Sequence, residues 1–244
     1  MIQFSHVTKQ YDDRFTALQD VSFTIDKGEF VFLTGASGAG KTTLLKHIYM
    51  EERPTHGQIT LLEEQPLTSS NSIQHYDSRR TRDKEIPFLR RKLGIVFQDF
   101  RLLQDRNVFE NVAFAMRVTG AAERSVKRKV FEVLAQTGLS HKSSYYPSQL
   151  SGGEQQRVCI ARAIVNDPLV VLADEPTGNL DNEVSLEIVK LLQEINIWGT
   201  TVIMSTHDVH IIELYHYRLL RLERGCLVQG GDATKKPKAW GLAA

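Results

Sequence analysis

The run Gly35-Ala36-Ser37-Gly38-Ala39-Gly40-Lys41-Thr42 follows the apolar stretch Phe30–Leu33 and precedes Leu44 and Leu45. It is the pattern G-x-x-x-x-G-K-[ST] between a buried strand and a helix, which constrains the surrounding chain to a strand–loop–helix unit. Gly35, Gly38 and Gly40 allow successive backbone N–H groups to turn inward on an anion, and the following helix adds its positive end. Such a loop holds the phosphates of a nucleoside triphosphate. Lys41 is placed to bridge the β- and γ-phosphates, Thr42 to offer its hydroxyl to Mg²⁺, and Thr43 to continue the contact.

The 244 residues allow one large domain or two lobes. A formal net charge of +1 provides no general field for nucleic acid or anionic lipid. The two cysteines, Cys159 and Cys226, form no C-x-x-C pair, so they read as reduced, packed thiols rather than a zinc or disulfide framework. The N-terminus lacks the signature of a signal peptide. No stretch reaches the roughly 18 uninterrupted apolar residues needed to span a membrane, so any membrane role is expected to run through a partner.

Alternating Val21, Phe23 and Ile25 predict a strand, as do Val31–Leu33, Gly94–Gln98, Leu169–Ala173 and Thr201–Met204. Helical spacing fills 107–136, with Gly138 as a stop, and returns near Gly152 and over Val184–Ile195. Tyr217–Leu222 and Cys226–Val228 read as a hairpin. This alternation predicts an α/β fold with a mainly parallel sheet. Residues 68–85 and the tail from Gly230 onward are polar and read as solvated, loosely held segments.

Two further constellations sharpen the chemistry. The strand Val170–Ala173 delivers Asp174 and Glu175 at its C-terminal end, where α/β sheets bind ligands. Asp174 is expected to hold Mg²⁺ and Glu175 to polarise the attacking water. Leu150-Ser151-Gly152-Gly153-Glu154-Gln155-Gln156 places a serine N-cap and two glycines at a helix start, exposing N–H donors to a second phosphate.

Taken in this order, the three motifs resemble those of the ATP-binding-cassette ATPases. The resemblance covers about residues 1–230. It implies a RecA-like P-loop NTPase core, an N-terminal antiparallel β subdomain, a helical subdomain inserted at about 99–157, and a tail at 231–244. It also assigns roles by position. Tyr11 is the aromatic residue that stacks on adenine, and Gln98 contacts Mg²⁺ or water. Ser151 with Gly152, Gly153 and Glu154 is the signature that reaches ATP on a second monomer. Asp181 belongs to the loop that crosses between monomers, and His207 is the switch histidine at the γ-phosphate.

Pro87-Phe88-Leu89-Arg90-Arg91 and Asp105-Arg106-Asn107-Val108 resemble the branch of that family serving bacterial cell division. This branch implies a homodimer on the cytoplasmic face of the cell membrane, docked through its helical subdomain on an integral membrane protein. The alternative is the ATPase subunit of a lipoprotein-releasing or efflux transporter. A cassette acting on nucleic acid is disfavoured by the neutral charge and the absence of a long coiled-coil insertion.

Overall fold

The computed structural model describes residues 1–12, 15–63 and 74–230. Along the chain run β1 (Ile2–Asp12), β2 (Phe15–Ile25), β3 (Phe30–Thr34), α1 (Lys41–Ile48), β4 (His56–Glu63) and β5 (Gln74–Asp77). They are followed by α2 (Ile86–Arg90), β6 (Leu93–Val96), α3 (Val108–Val118), α4 (Glu123–Gln136), α5 (Gly152–Ile164) and β7 (Val170–Asp174). The last elements are α6 (Asn182–Ile197), β8 (Thr201–Ser205), α7 (Val209–Tyr215), β9 (Arg218–Glu223) and β10 (Cys226–Gln229). These elements form two compact units.

The first unit comprises Met1–Asp26, Val31–Arg80 and the segment from His207 onward. Its antiparallel sheet has the order β2-β1-β4-β5. Ile2, Phe4 and Val7 of β1 and Val21, Phe23 and Ile25 of β2 are buried, and the rings of Phe4 and Phe23 stack 4.5 Å apart. In a second strand group β3 pairs parallel with β9, and β9 antiparallel with β10. All of Phe30–Leu33 is buried, as expected for a strand covered on both faces.

The polar stretch expected to be a solvated loop departs from that reading. Residues 68–73 lie outside the described residues, but Gln74–Asp77 form β5, paired with β4. Asp77, Ser78 and Thr81 are buried. Their polarity is met internally: Gln58 donates to Asp77 at 2.9 Å, the Ile59 N–H to Ser78 Oγ at 3.0 Å, and Arg53 to the Ser78 carbonyl at 2.7 Å. Buried polar groups persist when hydrogen-bonded in this way. The tail from 231 onward also lies outside the described residues.

The second unit comprises Lys27–Phe30 and Thr81–Thr206. Three parallel strands in the order β8-β7-β6 form its sheet portion, with Val170–Ala173 and Val202–Met204 buried. Helix α5 packs on α3, α4, α6 and β6. Its start approaches α6 closely: a Cβ on Gly153 would lie 2.5 Å from Val184 Cγ1, so only glycine fits without displacement. Asn107 caps α3 by accepting from the Glu110 N–H at 2.8 Å, and the Glu110 carboxylate accepts from the Asn107 N–H, closing a capping box.

Candidate nucleotide site

In the first unit, β3 runs into the loop 35–40, and α1 begins at Lys41. Gly35, Gly38 and Gly40 have φ of 150°, 77° and 106°. At Gly40 a side chain is excluded twice over: by the left-handed backbone and by the Ala17 carbonyl oxygen, 2.5 Å from where a Cβ would lie. Lys41 is 6% exposed, and its ammonium donates to the Gly35 carbonyl at 2.8 Å and the Ala36 carbonyl at 3.3 Å. The cation thus lies across the loop, with the N-terminal end of α1 adding to the positive potential.

His207 lines, with Gly35–Ala39, a cavity of about 730 Å³ that is also bounded by Val209, Ile212, Arg221 and Arg224. The fold therefore brings the predicted switch histidine to the phosphate loop. Thr42 is exposed, whereas Thr43 engages its carbonyl with His47 Nδ1 at 2.6 Å. Tyr11 is 43% exposed and stacks on Phe15 at 6.1 Å, with Lys9 Nζ 4.9 Å from its ring centre. The ring is thus an exposed aromatic edge already engaged by a stacked neighbour and a cation.

In the second unit, Asp174 ends β7 and Glu175 follows with a φ of 47°, a conformation uncommon outside glycine. Ser205, the last residue of β8, ties the pair together. Its hydroxyl donates to Asp174 Oδ1 at 2.7 Å and accepts the Glu175 N–H at 2.8 Å. Ser205 was not among the residues the sequence singled out. Its signal is a hydroxyl closing the apolar run Val202–Met204, and its buried position gives that hydroxyl meaning.

Gln98, two residues beyond β6, is exposed, and its carbonyl accepts from Asn179 Nδ2 at 3.3 Å. Asp181 caps α6 by accepting the Val184 N–H at 2.9 Å. Ser151 caps α5, accepting the Glu154 N–H at 3.2 Å, while the Glu154 carboxylate accepts the Ser151 N–H at 2.9 Å and faces Lys142 at 3.3 Å. The Ser151 N–H, with Lys142 beside it, holds the Glu154 carboxyl below its ordinary range, against the opposing effect of burial. Ser151, Gly152 and Gly153 therefore begin a helix with a serine hydroxyl at its N-cap and two glycines in its first turn. That arrangement can receive a phosphate.

Cys159 lies further along α5, fully buried, with its thiol donating to the Phe100 carbonyl at 3.0 Å. Burial pushes its ionisation up to about 12. Cys226 is half-exposed on β10, which corrects the expectation that both thiols are packed. Because the thiolate is the reactive form, iodoacetamide applied to the native protein at pH 8 is expected to label Cys226 and spare Cys159, as read by peptide mass spectrometry.

The glycine cradle with its buried ammonium fits a polyphosphate, and the adjacent Thr42 hydroxyl is an oxygen donor of the type Mg²⁺ accepts. Among the described residues no helix is long and apolar enough to cross a membrane.

Comparisons with known proteins agree with this chemistry. The family model described as ABC transporter matches residues 18–178. The cell division ATP-binding protein FtsE of Bacillus subtilis is 51% identical over 229 residues, covering 94% of this chain and 95% of that protein. FtsE of Escherichia coli K12 is 48% identical over 230 residues, covering 94% and 98%. Among solved structures, the ATP-binding cassette MJ0796, a dimer in a post-hydrolysis state bound to ADP and Pi, has a TM-score of 0.79 at 32% identity. That match covers 94% of this chain and 97% of the other. With a phosphate loop, a strand-end acid pair and a serine-capped signature helix on one α/β chain, this protein belongs to the ABC transporter family and is an ABC-type ATPase.

Proposed function

We propose that this ATPase works as a homodimer in bacterial cell division, converting ATP binding and hydrolysis into a conformational signal passed to an FtsX-like integral membrane protein. The reading rests above all on the similarity to FtsE proteins at 44–51% identity over 94% of the chain. In this account two chains sandwich two ATP molecules, each held by the phosphate loop of one protomer and the Ser151 cap of the other. The chain lies peripherally on the cytoplasmic face of the cell membrane, and its output is activation of cell-wall hydrolysis. The helical subdomain, at about 99–157, carries the membrane partner, and Asp181 lies in the loop that faces the second protomer.

Catalysis then consists of positioning and charge stabilisation. Lys41 and the loop amides neutralise the phosphates, with Tyr11 stacked on the adenine. Glu175 accepts a hydrogen bond from the attacking water, and the Ser205 hydroxyl fixes the backbone N–H of Glu175 and one oxygen of Asp174. His207 contacts the γ-phosphate, and Gln98 completes the water site. Thr42, Asp174 and Gln98 would hold Mg²⁺, which would supply additional positive charge to the phosphates.

A second reading, the cassette of a transporter, is favoured by the likeness to MJ0796, whose dimer is described as a bacterial ABC transporter cassette. The two readings differ in the membrane protein that co-purifies with the chain. In membranes containing the FtsX-like protein, the chain is expected to sediment with the membrane, and Arg106→Glu to move most of it to the soluble fraction. Undiminished sedimentation of that variant would count against docking near 100–107, and retention by a transporter subunit alone would favour the second reading.

A further inference from the structure

The segment that leaves Gln98 has an unusual backbone. Phe100 and Arg101 are consecutive non-glycine residues in the left-handed region, with φ of 59° and 49°. Isolated L-residues visit that region at a cost, and two in succession persist only where the surroundings impose them. Arg162 on α5 provides the constraint. Its guanidinium donates to the Arg101 carbonyl at 2.6 Å and to the Phe100 carbonyl at 2.9 Å, while Cys159 donates to the same Phe100 carbonyl. Among the described residues Arg162 has no carboxylate partner, so its fork is spent on these two carbonyls. Burial holds its ionisation below the ordinary value, yet the guanidinium remains charged.

Arg162 sits on the same helix that Ser151 caps, eleven residues further on. At 1.5 Å per residue the two are about 16 Å apart along one rigid rod. On its other side, Gln98 is tied through its carbonyl to Asn179, in the loop that leads to Asp181. Gln98 is thus held between two anchors, one of which is the signature helix itself.

We propose that Arg162 is a positioning residue for ATP hydrolysis: by gripping the Phe100 and Arg101 carbonyls it locks the left-handed pair after Gln98 and fixes Gln98 relative to Ser151. The inference rests on the reading of Gln98 and Ser151 as nucleotide contacts. A lysine at 162 keeps the charge but loses the planar fork that meets two carbonyls at once.

The test uses the full chain with Mg-ATP, measuring turnover and the affinity for a fluorescent ATP analogue in parallel. Arg162→Lys is expected to lower turnover about tenfold while analogue affinity stays within about twofold, a loss confined to the chemical step. Adding Arg101→Gly is expected to restore turnover to within about threefold of the parent, because glycine adopts the left-handed conformation without a clamp. A purely structural role for Arg162 would instead lower thermal stability and analogue affinity along with turnover, with no split between them. Turnover of Arg162→Lys within twofold of the parent would overturn the proposal, as would a folded Arg162→Lys that Arg101→Gly fails to rescue. Should Arg162→Lys not fold, Arg101→Val at this exposed position forces the same strain with the clamp intact. It is expected to show the same split between turnover and affinity, and parent-like turnover in it would again refute the clamp. Full turnover in Gln98→Ala would instead refute the reading of Gln98.

Discussion

Glu175→Gln is expected to bind ATP as tightly as the parent chain, to lose hydrolysis by a factor of about 10²–10⁴, and to accumulate as a dimer. The loss is the range that a positioned general base contributes. The substitution preserves shape: the Glu175 N–H still donates to Ser205 Oγ, and its left-handed backbone is unchanged because neither feature depends on the side-chain charge. What disappears is the carboxylate that orients and polarises water. With the γ-phosphate intact, the nucleotide bridging two protomers is not broken, so the equilibrium shifts to the sandwich. Phosphate release reads the first effect and light scattering with Mg-ATP the second. A variant that stays monomeric at saturating ATP would contradict the dimer reading, and one with parent-like turnover would contradict the role of Glu175.

Lys41→Ala is expected to abolish measurable nucleotide binding, not merely to slow catalysis. The Lys41 ammonium is buried, and it already cross-links the loop through the carbonyls of Gly35 and Ala36. Removing it takes away the buried cation at the cradle and leaves two carbonyl oxygens without that donor. Hydrogen bonds to charged groups contribute about 1.5–3 kcal/mol each, so losing the two that an ammonium makes to the phosphates weakens affinity by roughly a hundred- to ten-thousandfold, out of the measurable range. Titration of a fluorescent ATP analogue measures this directly. Affinity within a few-fold of the parent would count against the loop as the phosphate site.

The parts of this site that could be read from the sequence are those made by contiguous residues. A phosphate loop is a local structure: glycines at fixed intervals, a lysine and a hydroxyl, enclosed by a strand and a helix. The Ser151 cap and the Asp174-Glu175 strand end are legible for the same reason, since a cap and a strand terminus are defined within a few residues. The strands β3, β6, β7 and β8 were visible as apolar runs because both of their faces are covered.

Elsewhere the pattern misleads for identifiable reasons. In β1 the alternation of Ile2 and Phe4 breaks before Val7, because His6 adopts a left-handed conformation and the pairing with β2 shifts register there. A strand with a bulge no longer shows period two. β5 contains a single large apolar residue, Tyr76, and exists because β4 supplies its partner. In α7 only Ile211 is buried, while Val209 and Leu214 are exposed, so no apolar stripe announces a helix. Ser205 and Arg162 act on residues 30 or more positions away, and nothing in their immediate neighbourhood reveals it.

The central claim is that two copies of this chain close around ATP, the phosphate loop of one protomer facing the serine cap of the other. A structure of Glu175→Gln grown with Mg-ATP tests it most directly. The account predicts Ser151 Oγ within about 3 Å of the γ-phosphate held by the phosphate loop of the second protomer. A nucleotide-bound structure with every Ser151 beyond reach of a neighbour's terminal phosphate would contradict it.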